Sequence, residues 1–265
     1  MLPLRGAPGA RDLGALLGVP GRVFRSSALV SLTDGDLRFL DAHRLATVID
    51  LRSDEERQAL GADRLRTGAQ GIRLVELPVF DPSLAAFAIL GPPDGHPGGV
   101  RPAQLIARSG AERAMTDLYR AFVARPVLRR AFGKSVRLLA DPARQPLMFH
   151  CTAGKDRTGW LAAMVLTASG LSREEVLGDY LKSNDCMGPH VRAALESLAT
   201  RHGIRDSALL RPLTEARPEY LEAAFAQVDA QFGSFAGFLS EGLGLGPRTL
   251  RRLRASLEAG GGEPA

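Results

Sequence analysis

The fold is decided by the segment Gln145-Pro-Leu-Met-Phe-His150-Cys151-Thr-Ala-Gly-Lys-Asp-Arg157-Thr-Gly159 and by the apolar residues that follow it. The residues from 145 to 150 form a short apolar run, which predicts a buried strand. The residues from 158 to 169 predict a helix, and Gly170 is placed to end it. A strand that passes through a tight loop into a helix is typical of an α/β fold.

The rest of the chain alternates between the same two patterns. The upstream residues predict strands over 22–26, 46–51 and 72–80, a helix over 35–43 with its N-cap at Thr33 or Asp34, and a helical turn over 54–57. Downstream, helical periodicity covers residues 111–123, 127–139, 173–185, 191–202, 218–232 and 247–259. We therefore expect one α/β domain over residues 1–265, with a central, mainly parallel sheet flanked by helices.

Residues 82–110 interrupt this alternation. Glycine and proline are densest between Gly91 and Gly99, and apolar pieces lie on both sides of them. Long loops within compact domains are uncommon and often functional, so the segment is predicted to be either a mobile lid or an ordinary surface insertion. Residues 260–265 are expected to form a disordered tail.

The composition limits the class of protein. Of 265 residues, 45% are hydrophobic and 24% are charged, which is ordinary for a globular fold. The longest strongly apolar stretch, residues 161–168, is far shorter than the roughly 20 residues of a membrane span, and the first residues lack the apolar run of a secretory signal. We expect no integral membrane association and a cytoplasmic location, with secretion by a route without a signal peptide left open.

The two cysteines, Cys151 and Cys186, form no paired motif, so neither a disulfide framework nor a zinc site is expected. The net charge of +5 comes almost wholly from arginines. Their densest clusters are not interleaved with aromatic residues, so binding to nucleic acid is not expected.

The loop between the predicted strand and helix places Cys151 and Arg157 on either side of five residues. The backbone N–H groups of such a loop converge on one point, and the helix dipole adds positive charge there, which suits a tetrahedral phosphate dianion. The guanidinium of Arg157 can donate two parallel hydrogen bonds to phosphate oxygens. The residues expected to bind phosphate are Thr152, Ala153, Gly154, Lys155, Asp156 and Arg157.

The same positive field favours the thiolate of a cysteine, which is its nucleophilic form. Cys151 is therefore the predicted nucleophile of a phosphate-ester hydrolysis. His150 and the hydroxyl of Thr158 are expected to fix the loop and to hydrogen-bond near the sulfur. A plainer interpretation is a buried cysteine beside an arginine that pairs with a carboxylate. This interpretation does not explain the loop glycines or the Arg-Thr-Gly sequence at the start of the helix. Cys186 has none of this context and is expected to be inert.

The form His-Cys-x-x-Gly-Lys-Asp-Arg-Thr-Gly resembles the signature of the cysteine-based protein tyrosine phosphatase superfamily, in its atypical bacterial and fungal branch. Further segments are similar to that branch in order and approximate spacing, namely residues 11–14, 22–26, 32–33, 48–57, 179–184, 217–221 and 242–244. The family usually has Asn-Phe where Gly9 and Ala10 stand. The resemblance implies a phosphatase with a phosphocysteine intermediate and with phosphotyrosine, other phosphoproteins or phosphoinositides as substrates.

A carboxylic acid must protonate the leaving oxygen and later activate water. Two residues are candidates. The resembling branch has an aspartate with a proposed catalytic role at the position of Asp156. Asp81 ends a predicted strand just before the segment 82–110, and its plainer interpretation is an Asp-Pro turn. We expect Asp156 to be necessary and keep Asp81 as a second candidate for the acid.

Two more basic residues belong to these predictions. Lys155 is expected to face the approaching substrate, where a second cation would favour additional phosphates, or else to be a solvated lysine of the loop. Arg52 lies at the end of a predicted strand, where it could assist the reaction at the phosphate site. We expect it instead to pair with Asp54 or Glu55.

No metal and no cofactor are expected, because the five histidines are scattered and only His150 lies at the predicted site. A different class of function is a phosphate-recognition module that binds phosphorylated partners without turnover, but such a module would not need the nucleophile. Sulfurtransferase or arsenate-reductase chemistry is disfavoured, since Cys186 is the sole candidate for a second reacting cysteine. The preferred substrate and the oligomeric state are left open.

Overall fold

A five-stranded sheet lies at the centre of the protein in a computed structural model that describes residues 1–67, 71–90 and 110–257. For residues 186–194 the description covers the helical backbone alone. The strands are β1 (Arg11–Asp12), β2 (Val23–Ser26), β3 (Thr47–Asp50), β4 (Arg73–Glu76) and β5 (Leu147–His150). Their spatial order is β1-β2-β5-β3-β4. The β1–β2 pair is antiparallel and the other pairs are parallel, which confirms the predicted α/β fold.

Helices flank this sheet. They are α1 (Asp34–Ala42), α2 (Asp54–Leu60), α3 (Ala85–Leu90), α4 (Ala111–Ala124), α5 (Pro126–Leu139), α6 (Asp156–Ala168), α7 (Arg173–His202), α8 (Arg211–Thr214), α9 (Pro218–Phe232) and α10 (Pro247–Leu257). The N-cap of α1 is Thr33, whose side chain accepts a hydrogen bond from the Asp36 N–H. None of the helices in the described ranges is long and apolar enough to cross a membrane.

The strand predicted over residues 72–80 is shorter in the structure, because β4 ends at Glu76. The Leu77 and Val79 N–H groups still donate to carbonyl oxygens of residues 50 and 51, at 2.8 and 3.1 Å. Pro78 lies between them and has no N–H with which to continue a regular ladder.

The two helices predicted over 173–185 and 191–202 are a single helix, α7. It begins after the N-cap Ser172 and ends at Gly203, which has the left-handed conformation that commonly closes a helix. A proline inside a helix costs about 3 kcal/mol because it removes a backbone donor. Pro189 lies between the two predicted helices and favours a break there. In the structure the helix nevertheless continues through Pro189.

The sheet is buried on both faces. Along β5, Phe149 belongs to the larger apolar cluster and Met148 to the smaller one, and along β3 the same holds for Ile49 and Val48. The alternation follows from the pleat, which points successive side chains to opposite faces. The larger cluster includes Trp160 of α6, whose side chain is fully buried.

The parallel register brings the carboxyl ends of three strands together, since Ser26 of β2 and Asp50 of β3 both lie beside His150 of β5. The residues that follow these strands therefore meet at one edge of the sheet. In open α/β sheets this edge is where ligands bind.

Two predictions fall largely on residues that the structure does not describe. Of the segment 82–110, only residues 82–90 and 110 are described, so the interpretation of 91–109 as a lid lies outside them. The tail 260–265 lies wholly outside them. The described part of the insertion forms α3, in which Phe87 and Ile89 are buried in the larger cluster.

Candidate active site

The loop after β5 is held in place by the neighbouring strand β2 and by the residues that directly follow it. The Ala28 N–H donates to the Thr152 carbonyl at 3.0 Å, and Arg25 Nη2 donates to the Gly154 carbonyl at 2.9 Å. Gly154 has a φ of +67°, and a Cβ there would lie 2.5 Å from the Ser26 carbonyl oxygen. Only glycine satisfies both conditions without strain.

Arg25 is itself fixed by a buried ion pair. Its Nη1 lies 2.5 Å from Asp179 of α7, and the other carboxylate oxygen of Asp179 accepts from Arg11 Nε at 2.8 Å. Burial and the positive charge of Arg11 lower the pKa of Arg25 to about 10, so it remains charged at neutral pH. Two strands and one long helix are thereby joined directly beneath the loop.

The loop opens into a cavity of about 430 Å³. Cys151 lines it and is only 2% exposed. Thr152, Ala153, Lys155, Asp156 and Arg157 line the same cavity, so the structure brings these predicted site residues together. The rest of the lining is mostly apolar and includes Leu60, Leu90, Leu198 and Leu213.

Arg157 is oriented by a carboxylate that the sequence did not reveal. Its Nη1 and Nη2 donate to the two oxygens of Glu56, each at 2.6 Å, and Nη1 also lies 3.3 Å from the Leu51 carbonyl. The Phe87 ring covers the guanidinium at 5.5 Å. Arginine has five N–H donors. Among the described residues no acceptor takes Nε or the second Nη2 hydrogen, so this edge of the guanidinium is available to a phosphate.

The charges of this pair support each other. Burial alone would raise the pKa of Glu56, but Arg157 and the hydrogen bonds it donates lower it to about 2. Burial alone would lower the pKa of Arg157, but the Glu56 carboxylate raises it above its ordinary value. Both groups are therefore ionised at neutral pH.

Glu56 also connects the loop to α2. It accepts from the Ser53 N–H at 2.9 Å and from the hydroxyl of Thr152. The Ser-x-x-Glu spacing of Ser53 and Glu56 is that of a capping box, which places the glutamate at the first turn of a helix. That spacing, directly after a predicted strand, is a signal in the sequence from which the position of Glu56 could have been predicted.

His150 supports the loop from below. Its Nε2 lies 2.8 Å from an Asp63 carboxylate oxygen and its Nδ1 lies 3.1 Å from the Cys151 carbonyl. Burial raises the pKa of Asp63, but the contacts with His150 and Arg52 lower it below its usual value. The expected role of His150 in fixing the loop matches this placement, whereas a hydrogen bond to the sulfur stays a prediction.

Arg52 does not pair with Asp54 or Glu55, so that prediction is wrong. Its Nη2 lies 2.8 Å from Asp50 and 3.0 Å from Asp63, and all three side chains are fully buried. Buried carboxylates need a compensating charge more than exposed ones do, which explains the choice of partner.

Asp50, Asp63 and His150 offer ligand atoms within 4.8 Å of one another, an arrangement that could hold a metal ion. The guanidinium of Arg52 already donates to both carboxylates. A metal cation would have to displace this positive charge, so the residues of this cluster do not suit a metal site.

The two candidate acids lie in different places. Asp156 is the first residue of α6 and lines the cavity, where Tyr119 donates a hydrogen bond of 2.9 Å to its Oδ1. Asp81 lies in the turn before α3, where it accepts from the Ser83 N–H and hydroxyl, at 3.0 and 2.7 Å, and lies 4.0 Å from Arg125. Asp81 is not among the described residues that line the cavity.

The ammonium of Lys155 does not face an approaching substrate. The residue is 1% exposed, and its Nζ donates to the carbonyls of Leu213 and Glu215, each at 3.0 Å, and lies 3.1 Å from Asp156. Two of its three N–H donors are thus taken by backbone carbonyls, and its charge is paired with the Asp156 carboxylate. Because a buried charge is costly unless it is fully paired, Lys155 ties α6 to the end of α8 instead.

The hydroxyl of Thr158 is buried and has no hydrogen-bond partner within the described part of the chain. The predicted hydrogen bond of this hydroxyl near the sulfur is therefore wrong. The side chain of Cys186 lies outside the described part of the structure, so its expected inertness stays a prediction.

Comparison with known proteins agrees with this geometry. The family described as the tyrosine phosphatase family matches residues 2–259 of the chain. The chain is 36% identical to the triple specificity protein phosphatase PtpB of Mycobacterium tuberculosis, over 90% of this chain and 91% of that protein. It is 33% identical to a protein assigned as a tyrosine-protein phosphatase in Cupriavidus necator, over 91% of this chain and 84% of that protein.

Among solved structures, the Siw14 catalytic core covers 71% of this chain and 83% of its own, with 16% identity and a TM-score of 0.34. The family match and the two relatives confirm the resemblance inferred from the loop. The chain belongs to the tyrosine phosphatase family and is a phosphatase of that family.

Proposed function

We propose that the protein hydrolyses phosphate monoesters, phosphotyrosine in proteins first of all, through a covalent phosphocysteine on Cys151. One observation carries this proposal: a single cavity contains Cys151, Arg157 and the Asp156 carboxylate. These residues supply a nucleophile, a donor for the phosphate oxygens and a group that can carry a proton. The catalytic roles of the three residues are part of the proposal.

In the first step the Cys151 thiolate attacks phosphorus, and the bond from phosphorus to the leaving oxygen breaks. The free edge of Arg157 binds two phosphate oxygens while Glu56 holds the other edge. In the second step water attacks the phosphocysteine, the sulfur leaves as thiolate and inorganic phosphate is released. Asp156 is our first choice for the group that exchanges protons in these steps, and Asp81 is the second.

The walls of the cavity favour an aryl phosphate. Leu60, Leu90, Leu198 and Leu213 can contact a phenol ring, whereas a phosphoserine side chain would leave most of this apolar surface without a partner. The names of both relatives include protein phosphatase activity, which agrees with a phosphorylated protein as substrate.

Phosphoinositides are a second substrate class. Arg201 of α7 lies in the lining of the cavity and carries a positive charge, which suits a substrate with a second phosphate group. The Nζ of Lys155 donates to the carbonyls of Leu213 and Glu215. We therefore expect Lys155→Ala to reduce turnover of aryl phosphates and phosphoinositides alike, since it weakens the loop. If Lys155→Ala lost turnover of phosphoinositides but kept turnover of aryl phosphates, Lys155 would instead bind the substrate.

The test is turnover of p-nitrophenyl phosphate, a phosphotyrosine peptide, a phosphoserine peptide and phosphoinositides, with reducing agent and without added metal. We expect the phosphotyrosine peptide to be preferred over phosphoserine, and Cys151→Ser to abolish activity. Trapping of radiolabelled phosphate on the wild type but not on Cys151→Ser would identify the intermediate. Turnover that survives in Cys151→Ser would contradict the mechanism.

The alternative is a phosphate-recognition module without turnover. It predicts that a well-folded wild type binds a phosphotyrosine peptide in calorimetry but releases no phosphate from any of the four substrates. The same preparation therefore decides between the two functions.

A nucleophilic thiol must remain reduced to act, and Cys151 is a free cysteine. We propose on this ground that the protein works in a reducing compartment such as the cytoplasm. Fractionation of the producing cells with an antibody against the protein would test this location.

A further inference from the structure

All three tyrosines of the chain lie beneath the phosphate-binding loop. Tyr119 of α4, Tyr180 of α7 and Tyr220 of α9 are at most 1% exposed. The ring of Tyr119 lies 6.0 Å from that of Tyr180 and 5.7 Å from that of Tyr220. Three helices that are distant in the chain thus bring their phenols to one place.

Two of these phenols form a hydrogen-bonded chain to Asp156. Tyr119 donates to Asp156 Oδ1 at 2.9 Å, and the hydroxyls of Tyr119 and Tyr180 are 2.7 Å apart. A phenol has one proton to donate. Because Tyr119 gives its proton to Asp156, Tyr180 must be the donor in the contact between the tyrosines. Donation in series strengthens each bond of such a chain.

Both phenols keep their protons at neutral pH. Burial, followed by the negative charge of Asp156, raises the pKa of Tyr119 and that of Tyr180 well above the ordinary value. The chain therefore acts as a permanent set of donors directed at one carboxylate oxygen.

Asp156 Oδ1 faces two donors, since Lys155 Nζ lies 3.1 Å from it in addition to Tyr119. No group in the described ranges hydrogen-bonds to Oδ2, and Asp156 lines the cavity that contains Cys151. Both contacts lie on Oδ1, so Oδ2 is left as the oxygen that can accept a proton.

We propose that Tyr119, supported by Tyr180, is a positioning residue that holds Asp156 Oδ1 and leaves Oδ2 to act as general base in the hydrolysis of the phosphocysteine. In this step Oδ2 takes a proton from water, the water oxygen bonds to phosphorus, and the S–P bond breaks with its electron pair returning to Cys151. The inference rests on the proposed function and assigns its second step.

The decisive variant is Tyr119→Phe, which removes the donor and keeps the ring. In stopped-flow assays with p-nitrophenyl phosphate, we expect the first release of p-nitrophenolate to keep its wild-type rate. Steady-state turnover should fall roughly tenfold, as for the loss of one hydrogen bond to a charged group. A burst of nearly one p-nitrophenolate per active site should therefore precede the slow phase. Tyr180→Phe should show the same change to a smaller extent.

Tyr220→Phe is the matched control. It also removes a buried phenol hydroxyl, but that hydroxyl donates its proton to the Pro212 carbonyl at 3.0 Å and not to Asp156. We expect wild-type rates for both phases in this variant. Thermal unfolding and the rate of Cys151 alkylation by iodoacetate, followed for all variants, report whether the fold and the loop are unchanged.

Wild-type kinetics in Tyr119→Phe would overturn the proposal. A slower first phase without a burst would also overturn it, because Tyr119 would then act before the phosphocysteine forms. A loss of alkylation matching the loss of turnover would show a merely structural role. In an Asp156→Asn background, Tyr119→Phe should cause no further loss. The proposed function fails separately, if wild type releases no p-nitrophenolate or if Cys151→Ser remains active.

Discussion

Glu56 and Arg157 are 101 residues apart in the chain and meet through two hydrogen bonds of 2.6 Å. The glutamate occupies one edge of the guanidinium and leaves the Nε edge facing no acceptor among the described residues. The guanidinium is therefore oriented before phosphate arrives. Donors that are already in place lose little free energy to reorganisation when the substrate binds and reacts.

This pair predicts a loss of activity in Glu56→Gln. Glutamine cannot hold both Nη groups as acceptors, so Arg157 loses its fixed orientation. A hydrogen bond to a charged group contributes about 1.5–3 kcal/mol, so kcat/KM for p-nitrophenyl phosphate should fall roughly 10- to 100-fold. Glu55→Gln on the same turn is the control, since Glu55 is exposed. Equal loss in both variants would mean that net charge, not the pair, matters.

The same pair predicts how stability depends on pH. The folded pKa of Glu56 is about 2, below its ordinary value of 4.5, so its contribution to stability is fully present above about pH 5. It is lost as the pH falls toward 2, and the shift corresponds to roughly 3 kcal/mol. Urea unfolding of wild type and Glu56→Gln from pH 7 to pH 2 should show a difference that shrinks over this range. A constant difference would show that Glu56 is not the titrating group.

The buried pair beneath the loop predicts a large loss of stability in Asp179→Asn. The change leaves Arg11 and Arg25 without their carboxylate, and removal of one partner from a buried ion pair costs about 3–5 kcal/mol. Asp229→Asn is the matched control, because Asp229 pairs with Arg173 at an exposed position. Exposed pairs contribute about 1 kcal/mol or less. Thermal unfolding of both variants checks this, and similar melting temperatures would contradict it.

The backbone of the loop predicts the effect of Gly154→Ala. A Cβ would meet the Ser26 carbonyl at 2.5 Å, and the φ of +67° is unfavourable for alanine by about 1–2 kcal/mol. We expect turnover of p-nitrophenyl phosphate to fall by at least tenfold and the melting temperature to drop. Gly178→Ala in α7, where a Cβ meets nothing within 4 Å, should instead raise stability by up to about 1 kcal/mol. Full activity in Gly154→Ala would mean that the loop tolerates the shift.

The strand, loop and helix around Cys151 could be predicted from the sequence alone. These features are local: a short apolar run, a glycine that can take a positive φ and a helix start lie within consecutive residues. Most element positions followed from local patterns too, except where Pro78 shortened β4 and where α7 continued through residue 189. The placement of Cys151, Asp156 and Arg157 around one cavity follows from this local order.

The partners of these residues could not be predicted from the sequence and follow from the tertiary packing. Tyr119 and Asp156 are 37 residues apart, Lys155 and Leu213 are 58 apart, and His150 and Asp63 are 87 apart. No local pattern encodes such pairs, because they depend on how helices and strands pack. A buried charge must pair with a group that the packing places nearby. For this reason Lys155 donates to backbone carbonyls, and Arg52 pairs with Asp50 and Asp63.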